Sequence, residues 1–200
     1  MDSQFWDERY DTAEMIWTTD ANRFLVEIAE GLEPGRALDL ACGEGRNTVW
    51  LAERGWTATG ADFSPVGLAK ASRLAESKGV TITLVEADAT TWRPVPRSYD
   101  LVCVLYLQLA SPAREAALDA AIEALCPGGT LLVVAHDVEN IIHGVGGPQD
   151  PSVCYSAEGV VKLLGDLTVL EAGPRNRPVV GAEGDLVTAI DTVVVARRPH

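Results

Sequence analysis

The sequence predicts an α/β protein, a doubly wound and mostly parallel sheet of seven strands with helices on both faces. Three observations carry that expectation. Short apolar runs alternate with helical stretches from residue 34 onward. Arg36–Thr48, RALDLACGEGRNT, reads as a strand, a glycine-bearing turn and a helix in direct succession. Tyr99–Leu107 is nearly all apolar, as a central strand covered on both faces should be.

Taken in order, the chain opens on the aromatics Phe5, Trp6 and Tyr10. A helix is expected from about Asn22 to Gly31, with Phe24, Leu25, Ile28 and Ala29 on one face and Gly31 as its stop. Residues 1–33 are thus expected as a helical cap on a single-domain chain, 1–200, whose α/β core is 34–200. Ala37–Leu40 is the first strand. Gly43 and Gly45, without a Cβ, take φ/ψ values closed to other residues and let a ligand approach the backbone. The helix beginning near Asn47 turns its free amides and positive dipole end toward that ligand. Trp56–Asp62 is the second strand, and Ser64-Pro65 opens the next helix as N-cap and first turn. That helix, Ser64–Lys78, stops at Gly79.

Val80–Val85 is the third strand and leads into Glu86-Ala87-Asp88-Ala89. A proline-broken loop, Trp92–Arg97, precedes the fourth strand, Tyr99–Leu107. Ser111-Pro112 starts a helix that runs to about Leu125. Pro127-Gly128-Gly129 stops it, and Thr130–Ala135 is the fifth strand. His136–Tyr155 is the least regular stretch, with glycines and prolines that forbid a long helix. A loop this long in a compact domain is usually functional. Asp137, Asn140, His143 and Tyr155 are its candidate pocket residues. Ser156–Leu164 is a helix stopped by Gly165, Leu167–Glu171 a strand, Pro174–Glu183 a polar connection carrying Arg175 and Arg177, and Leu186–Arg198 the last strand.

Composition narrows the function. Apolar residues make up 47% of the chain and supply a core. No run approaches the ~18 apolar residues of a membrane span. The N-terminus is acidic and lacks the order of a signal peptide, so a cytoplasmic protein is expected. A net charge of −13 argues against nucleic acid and against an anionic membrane surface as partners. The acids crowd into residues 1–33 and read as a solvated helix face. Cys42, Cys103, Cys126 and Cys154 form no C-x-x-C pair, and His136, His143 and His200 show no ligand spacing, so no metal site is expected. Oligomeric state is not legible.

The ligand of the glycine turn is then the central question. A dinucleotide fingerprint needs a third glycine for close helix–strand packing, and Thr48 stands there. Asp39, inside the strand before the turn, would repel a pyrophosphate and suits a ligand with a cationic group. Asp62 lies roughly twenty residues beyond the turn, where an acid bonds ribose hydroxyls in a βαβ nucleoside site. Leu38–Gly45 resembles the first motif of class I S-adenosylmethionine-dependent methyltransferases, with Ala41 in place of the first glycine. Asp62, the Ala87-Asp88-Ala89 tripeptide and the Pro127-Gly128-Gly129 turn follow in the order of that family's motifs. The resemblance spans about Leu32 to Arg198. The Glu44-Gly45-Arg46-Asn47 continuation is similar to small-molecule enzymes of the tellurite-resistance and thiopurine type.

The resemblance implies a Rossmann-like sheet, S-adenosylmethionine as cofactor, and methyl transfer to a small-molecule acceptor by in-line displacement. It implies a cofactor-binding set of Asp39, Ala41, Gly43, Gly45, Arg46, Asn47, Asp62, Phe63, Asp88 and Ala89. Within it, Asp39 holds the methionine amino group, Asp62 the ribose, and Asp88 with Ala89 the adenine. The fourth strand's end then lies beside the reacting methyl group, which makes Tyr106 and Gln108 pocket candidates. Tyr106, His136 and His143 are the catalytic candidates, the histidines as general bases for a hydroxyl or amine acceptor. Two rival readings stand beside it. A nicotinamide-dependent oxidoreductase shares the turn and Asp62 but is disfavoured by Thr48, Asp39 and the lack of a Tyr-x-x-x-Lys pair. A non-catalytic nucleoside-binding regulatory module is the other.

Overall fold

The computed structural model describes residues 3–12, 15–16, 18–181 and 184–200. Its strands are β1 (Arg36–Leu40), β2 (Thr57–Asp62), β3 (Thr83–Glu86), β4 (Tyr99–Leu105), β5 (Leu125–His136), β6 (Thr168–Val180) and β7 (Leu186–Arg197). They form one seven-stranded sheet in the order β3-β2-β1-β4-β5-β7-β6. The first five pair in parallel, and β7 enters antiparallel to both β5 and β6. The order reverses between β1 and β4. Connections leave these two strands on opposite sides of the sheet, which opens a crevice at their carboxyl ends.

The helices are α1 (Ser3–Tyr10), α2 (Arg23–Ala29), α3 (Arg46–Glu53), α4 (Pro65–Lys78), α5 (Ala113–Ala124), α6 (Asn140–His143) and α7 (Ala157–Val161). Their ends follow local chemistry. Asn22 caps α2 by accepting from the amides of Phe24 and Leu25. Ser64 caps α4 through the Gly67 amide, Pro65 occupies the first turn, and Gly79 closes the helix at φ 66°. Val102 and Val104 of β4 point into one apolar layer with Leu131, Val133, Leu118 and Leu164. Leu101, Cys103 and Leu105 alternate into the other, with Leu132, Val134, Phe24, Leu25 and Trp56. All four cysteines are unpaired. Among the described residues no helix is long and apolar enough to cross a membrane.

β4 ends at Leu105 rather than Leu107 and α7 at Val161 rather than Leu164, and three further boundaries differ from the sequence reading. β5 begins at Leu125, so Pro127-Gly128-Gly129 lies inside the strand. It forms an irregularity there, where the register against β4 jumps from Leu125 opposite Tyr99 to Thr130 opposite Leu101. β3 starts at Thr83 rather than Val80, a short edge strand. The largest correction is β6. Residues Pro174 to Val180, expected as a connection, continue the strand in a long hairpin with β7. The edge position explains it: an outermost strand tolerates Pro174 and Pro178 because their missing N–H groups need no ladder partner. Glu183, the end of that expected connection, lies outside the described residues.

Gly60 in the middle of β2 tests the tightness of the core beneath the turn. A Cβ there would stand 2.8 Å from Cys42 Sγ and 2.9 Å from Thr48 Oγ1. Gly60→Ala is expected to cost ~1–3 kcal/mol through overpacking, read as a lower urea midpoint with an unchanged m-value.

Candidate functional site

The turn after β1 is built on left-handed backbone. Ala41, Gly43 and Gly45 have φ of 63°, 55° and 80°. Gly45 is also a close contact point, since a Cβ there would stand 2.5 Å from Ala71 Cβ on α4. The sequence reading treated Ala41 as a small replacement for glycine. The backbone adds a second demand, because a left-handed residue with a Cβ is strained by roughly 1–2 kcal/mol.

Thr48, at the position of the missing third glycine, donates its hydroxyl to Asp39 Oδ2 at 2.7 Å. Asp39 is 1% exposed, and among the described residues no lysine or arginine lies within ion-pair distance of it. Burial pushes its carboxyl up to about 6, against the pull of the Thr48 hydrogen bond and the more distant Arg46 charge. Asp62, at the end of β2, accepts from the Gly43 amide at 2.8 Å on one oxygen and from the Ser64 amide at 2.9 Å on the other. Each oxygen keeps a lone-pair direction for a further donor. Asp88 is exposed, and its Oδ1 accepts from the amide and hydroxyl of Thr90, while Ala89 is buried and Phe63 half-buried beside them in the chain.

The N-terminal segment roofs this turn. The Tyr10 hydroxyl lies against Gly43, 2.7 Å from where a Cβ would be. Glu44 is buried in an ion pair with Lys70 at 2.9 Å and accepts from the Ile16 amide. Lys70 also reaches the Thr12 hydroxyl, Ser64 donates to Asp7, Arg46 donates to Thr18, and Asn47 accepts from the Asn22 amide at 2.8 Å. The Glu44–Lys70 pair was not foreseen. Its signal was a lysine on the buried face of α4, where a charge needs a partner.

A second polar cluster closes the other side of the crevice. Tyr106 follows β4 at φ 57° and donates its hydroxyl to Asp191 Oδ2 at 2.9 Å. Arg177 Nε donates to the same oxygen at 2.6 Å. His136 Nδ1 stands 3.5 Å from Oδ1, and the His136 and Tyr106 rings are 5.1 Å apart. Asp191 is fully buried. Burial and the Asp191 charge hold the Tyr106 hydroxyl far above its ordinary value. Burial, reinforced by Arg177 and opposed by Asp191, holds His136 below the usual histidine range. Tyr106 and His136 therefore share a site. His143 does not join them: it is exposed on α6, 3.6 Å from Glu139.

Arg177 and Asp191 were missed by the sequence reading. Arg177 was placed in a loop. Asp191 stands alone in an apolar strand, and a lone acid there was the available signal, since it must be partnered. Four other candidates tie the 136–155 loop to β7 and to the segment after β4. Gln108 accepts from the His136 amide and donates to the Val153 carbonyl. Asp137 accepts from Thr192, Asn140 accepts from the Ile190 amide, and Tyr155 donates to the Leu107 carbonyl.

Residues 37–129, from β1 into the irregular start of β5, match the family model for a methyltransferase domain. Over that stretch the chain is similar to methyltransferases. It is 35% identical over 132 residues to a demethylmenaquinone methyltransferase of Thermus thermophilus, covering 63% of this chain and 60% of that one. It is 41% identical over 103 residues to a trans-aconitate 2-methyltransferase of Streptomyces avermitilis, covering 50% of this chain and 38% of that one. The chain thus spans less than two thirds of the length of either relative. The solved N-methyltransferase NodS of Bradyrhizobium japonicum, in complex with S-adenosyl-L-homocysteine, superposes with a TM-score of 0.74 at 18% identity, covering 99% of this chain and 98% of that one. At that identity the likeness is one of fold.

The strain at Ala41 gives a direct test of the turn. Ala41→Gly is expected to raise stability by up to ~1 kcal/mol, part of the relieved strain being offset by the greater freedom of glycine in the unfolded chain. Equilibrium unfolding in urea checks it, and a loss of stability would contradict the left-handed assignment.

Proposed function

We propose that this methyltransferase domain binds S-adenosylmethionine in the crevice between β1 and β4 and transfers its methyl group to a small-molecule acceptor. One observation carries the reading: Asp39 is a buried carboxylate hydrogen-bonded by Thr48 alone, with no lysine or arginine in ion-pair contact among the described residues. Such a group is costly unless a cation completes it, and the amino group of the methionine part is that cation. The remaining residues fit the rest of the molecule. Ala41, Gly43 and Gly45 give a turn whose backbone a ligand can approach, with Arg46 and Asn47 opening the helix behind it. Asp62 has acceptor capacity left for two ribose hydroxyls, with Phe63 next to it. Asp88 and Ala89 stand at the end of the neighbouring strand for the adenine edge.

When bound, the cofactor supplies a methyl group already activated on a sulfonium. The chain's own task is to hold nucleophile and methyl in line and to keep water away, a positioning effect worth ~7–11 kcal/mol of barrier. Tyr10, Thr12, Ile16, Thr18 and Asn22 are the contacts of a water-excluding roof, and we read residues 1–33 as a cap on a 34–200 core within one domain. Relatives named for demethylmenaquinone and trans-aconitate methylation support a small-molecule acceptor. We place the protein in the cytoplasm and infer no nucleic-acid partner from its charge of −13. The narrower kinship with tellurite-resistance and thiopurine enzymes belongs to this proposal as well.

Calorimetric titration with S-adenosylhomocysteine, with NADH as control, tests the reading. Micromolar binding of the first alone is expected, and no binding withdraws the proposal. Asp62→Ala should weaken that binding at least ~10-fold, and an unchanged Kd removes the ribose role.

The Asp39 carboxyl adds a pH signature. Its folded value, about 6, lies above the ordinary 3.8, so between these values the folded chain binds more protons than the unfolded chain. Stability therefore falls as pH rises through that window and stays reduced above it. Asp39→Asn should make the ligand-free protein more stable at pH 7 by on the order of 2–3 kcal/mol while weakening S-adenosylhomocysteine binding. In the unmodified protein that affinity should decline as pH drops below about 6. Chemical denaturation and calorimetry across pH 5–8 read both effects.

A further inference from the structure

His136 ends β5, and Asp191 lies directly opposite it in the β5–β7 ladder. The imidazole is held between the Tyr106 ring and the backbone of Gly147, where a Cβ would come within 2.8 Å of ring atoms. Its two nitrogens have opposite surroundings. Nδ1 is buried, has no hydrogen-bond partner, and stands 3.5 Å from Asp191 Oδ1. Nε2 is not buried and has no partner among the described residues. Asp191 is prepared for this neighbour. Arg177 Nε and Tyr106 both donate to Oδ2, and Arg177 Nη2 reaches Oδ1 only at 3.5 Å, which leaves Oδ1 the less occupied oxygen.

We propose that His136 Nε2 takes the proton from a methyl acceptor that brings one, a hydroxyl, thiol or amine, and that Asp191 is the residue that positions it. The proposal rests on the methyl-transfer reading above and names the acceptor's chemistry. Asp191 orients the ring by drawing the proton of the neutral imidazole to Nδ1, which presents Nε2 as a bare lone pair. Arg177 and Tyr106 act one step further out, through Asp191.

The charged groups facing the ring are Asp191 from β7 and Arg177 from β6. The residue after β4 is the uncharged Tyr106, and the 136–155 loop contributes the backbone of Gly147. Burial and Arg177 keep the ring neutral near pH 7, as a base must be. In the step, the X–H bond of the acceptor breaks, its proton goes to Nε2, and its electron pair remains on X. X then bonds to the methyl carbon while the carbon–sulfur pair leaves with sulfur, converting sulfonium to thioether. The positive charge ends on the imidazolium, beside Asp191, whose field already favours it there. An acceptor that is an anion from the start has no use for this arrangement.

The test is the tautomer of His136, read by imidazole nitrogen NMR on the full chain with 15N-labelled histidine, with and without S-adenosylhomocysteine. At pH 8 His136 should carry its proton on Nδ1, whereas the exposed His143 should show the Nε2–H form usual in water. Asp191→Asn should lower the His136 titration midpoint and Arg177→Gln should raise it, with His143 and His200 unmoved. An Nε2–H tautomer in the unmodified protein overturns the proposal, and that measurement needs no variant to fold. A midpoint indifferent to Asp191→Asn also overturns it. Failure of S-adenosylhomocysteine to bind is scored separately by calorimetry and removes the methyl-transfer reading whatever the tautomer.

Discussion

One carboxylate holds the geometry of the crevice. Asp62 accepts a backbone amide on each oxygen, Gly43 from the turn after β1 and Ser64 from the cap of α4. This couples the ends of two neighbouring parallel strands. It also stabilises a turn whose residues sit at positive φ, a conformation that persists only when its surroundings determine it. Gly45 and Ala71 bring α3 and α4 into contact at the same place, and Ser64 in turn reaches Asp7 of the N-terminal segment. Turn, two helices and roof thus meet around a single carboxyl side chain.

The buried polar groups divide by what completes them. Glu44 is completed by Lys70 and by the Ile16 amide, and so ties the roof down from within the protein. Asp191 is completed by Arg177 and Tyr106. Asp39 has Thr48 and nothing of opposite charge in contact, and burial raises its carboxyl accordingly. A fold that needed only stability would not keep such a group. The asymmetry sets Asp39 apart from the structural ion pairs, and the proposal that a cationic group of the cofactor completes it rests on that difference.

Much of the cofactor side was legible because its signals are local. Gly43, Gly45, Ser64-Pro65 and Gly79 act through their own backbone, and each stands where its conformational preference placed it. The pairing of Tyr106 with His136 was only half legible. Both were candidates, but what brings them together is Asp191 on a strand far along the chain. β6 was misread for a related reason. Pro174 and Pro178 are turn signals in isolation, and only the discovery that β6 is an outermost strand makes them compatible with a ladder.

The sequence by itself determined the alternation of strands and helices, the glycine turn, the acid before it and the acid after it. These depend on residue type and spacing over short distances, where propensity, capping and charge act directly. The tertiary structure decided which polar groups are partnered. Lys70 meets Glu44 across 26 residues, and Tyr106 meets Asp191 across 85. It also decided that Thr48 serves Asp39, that Asn140 accepts from the Ile190 amide of β7, and that Tyr155 donates to the Leu107 carbonyl. Such pairings arise when chain segments remote in sequence are buried against one another, and a buried donor or acceptor takes whichever partner the packing brings within reach.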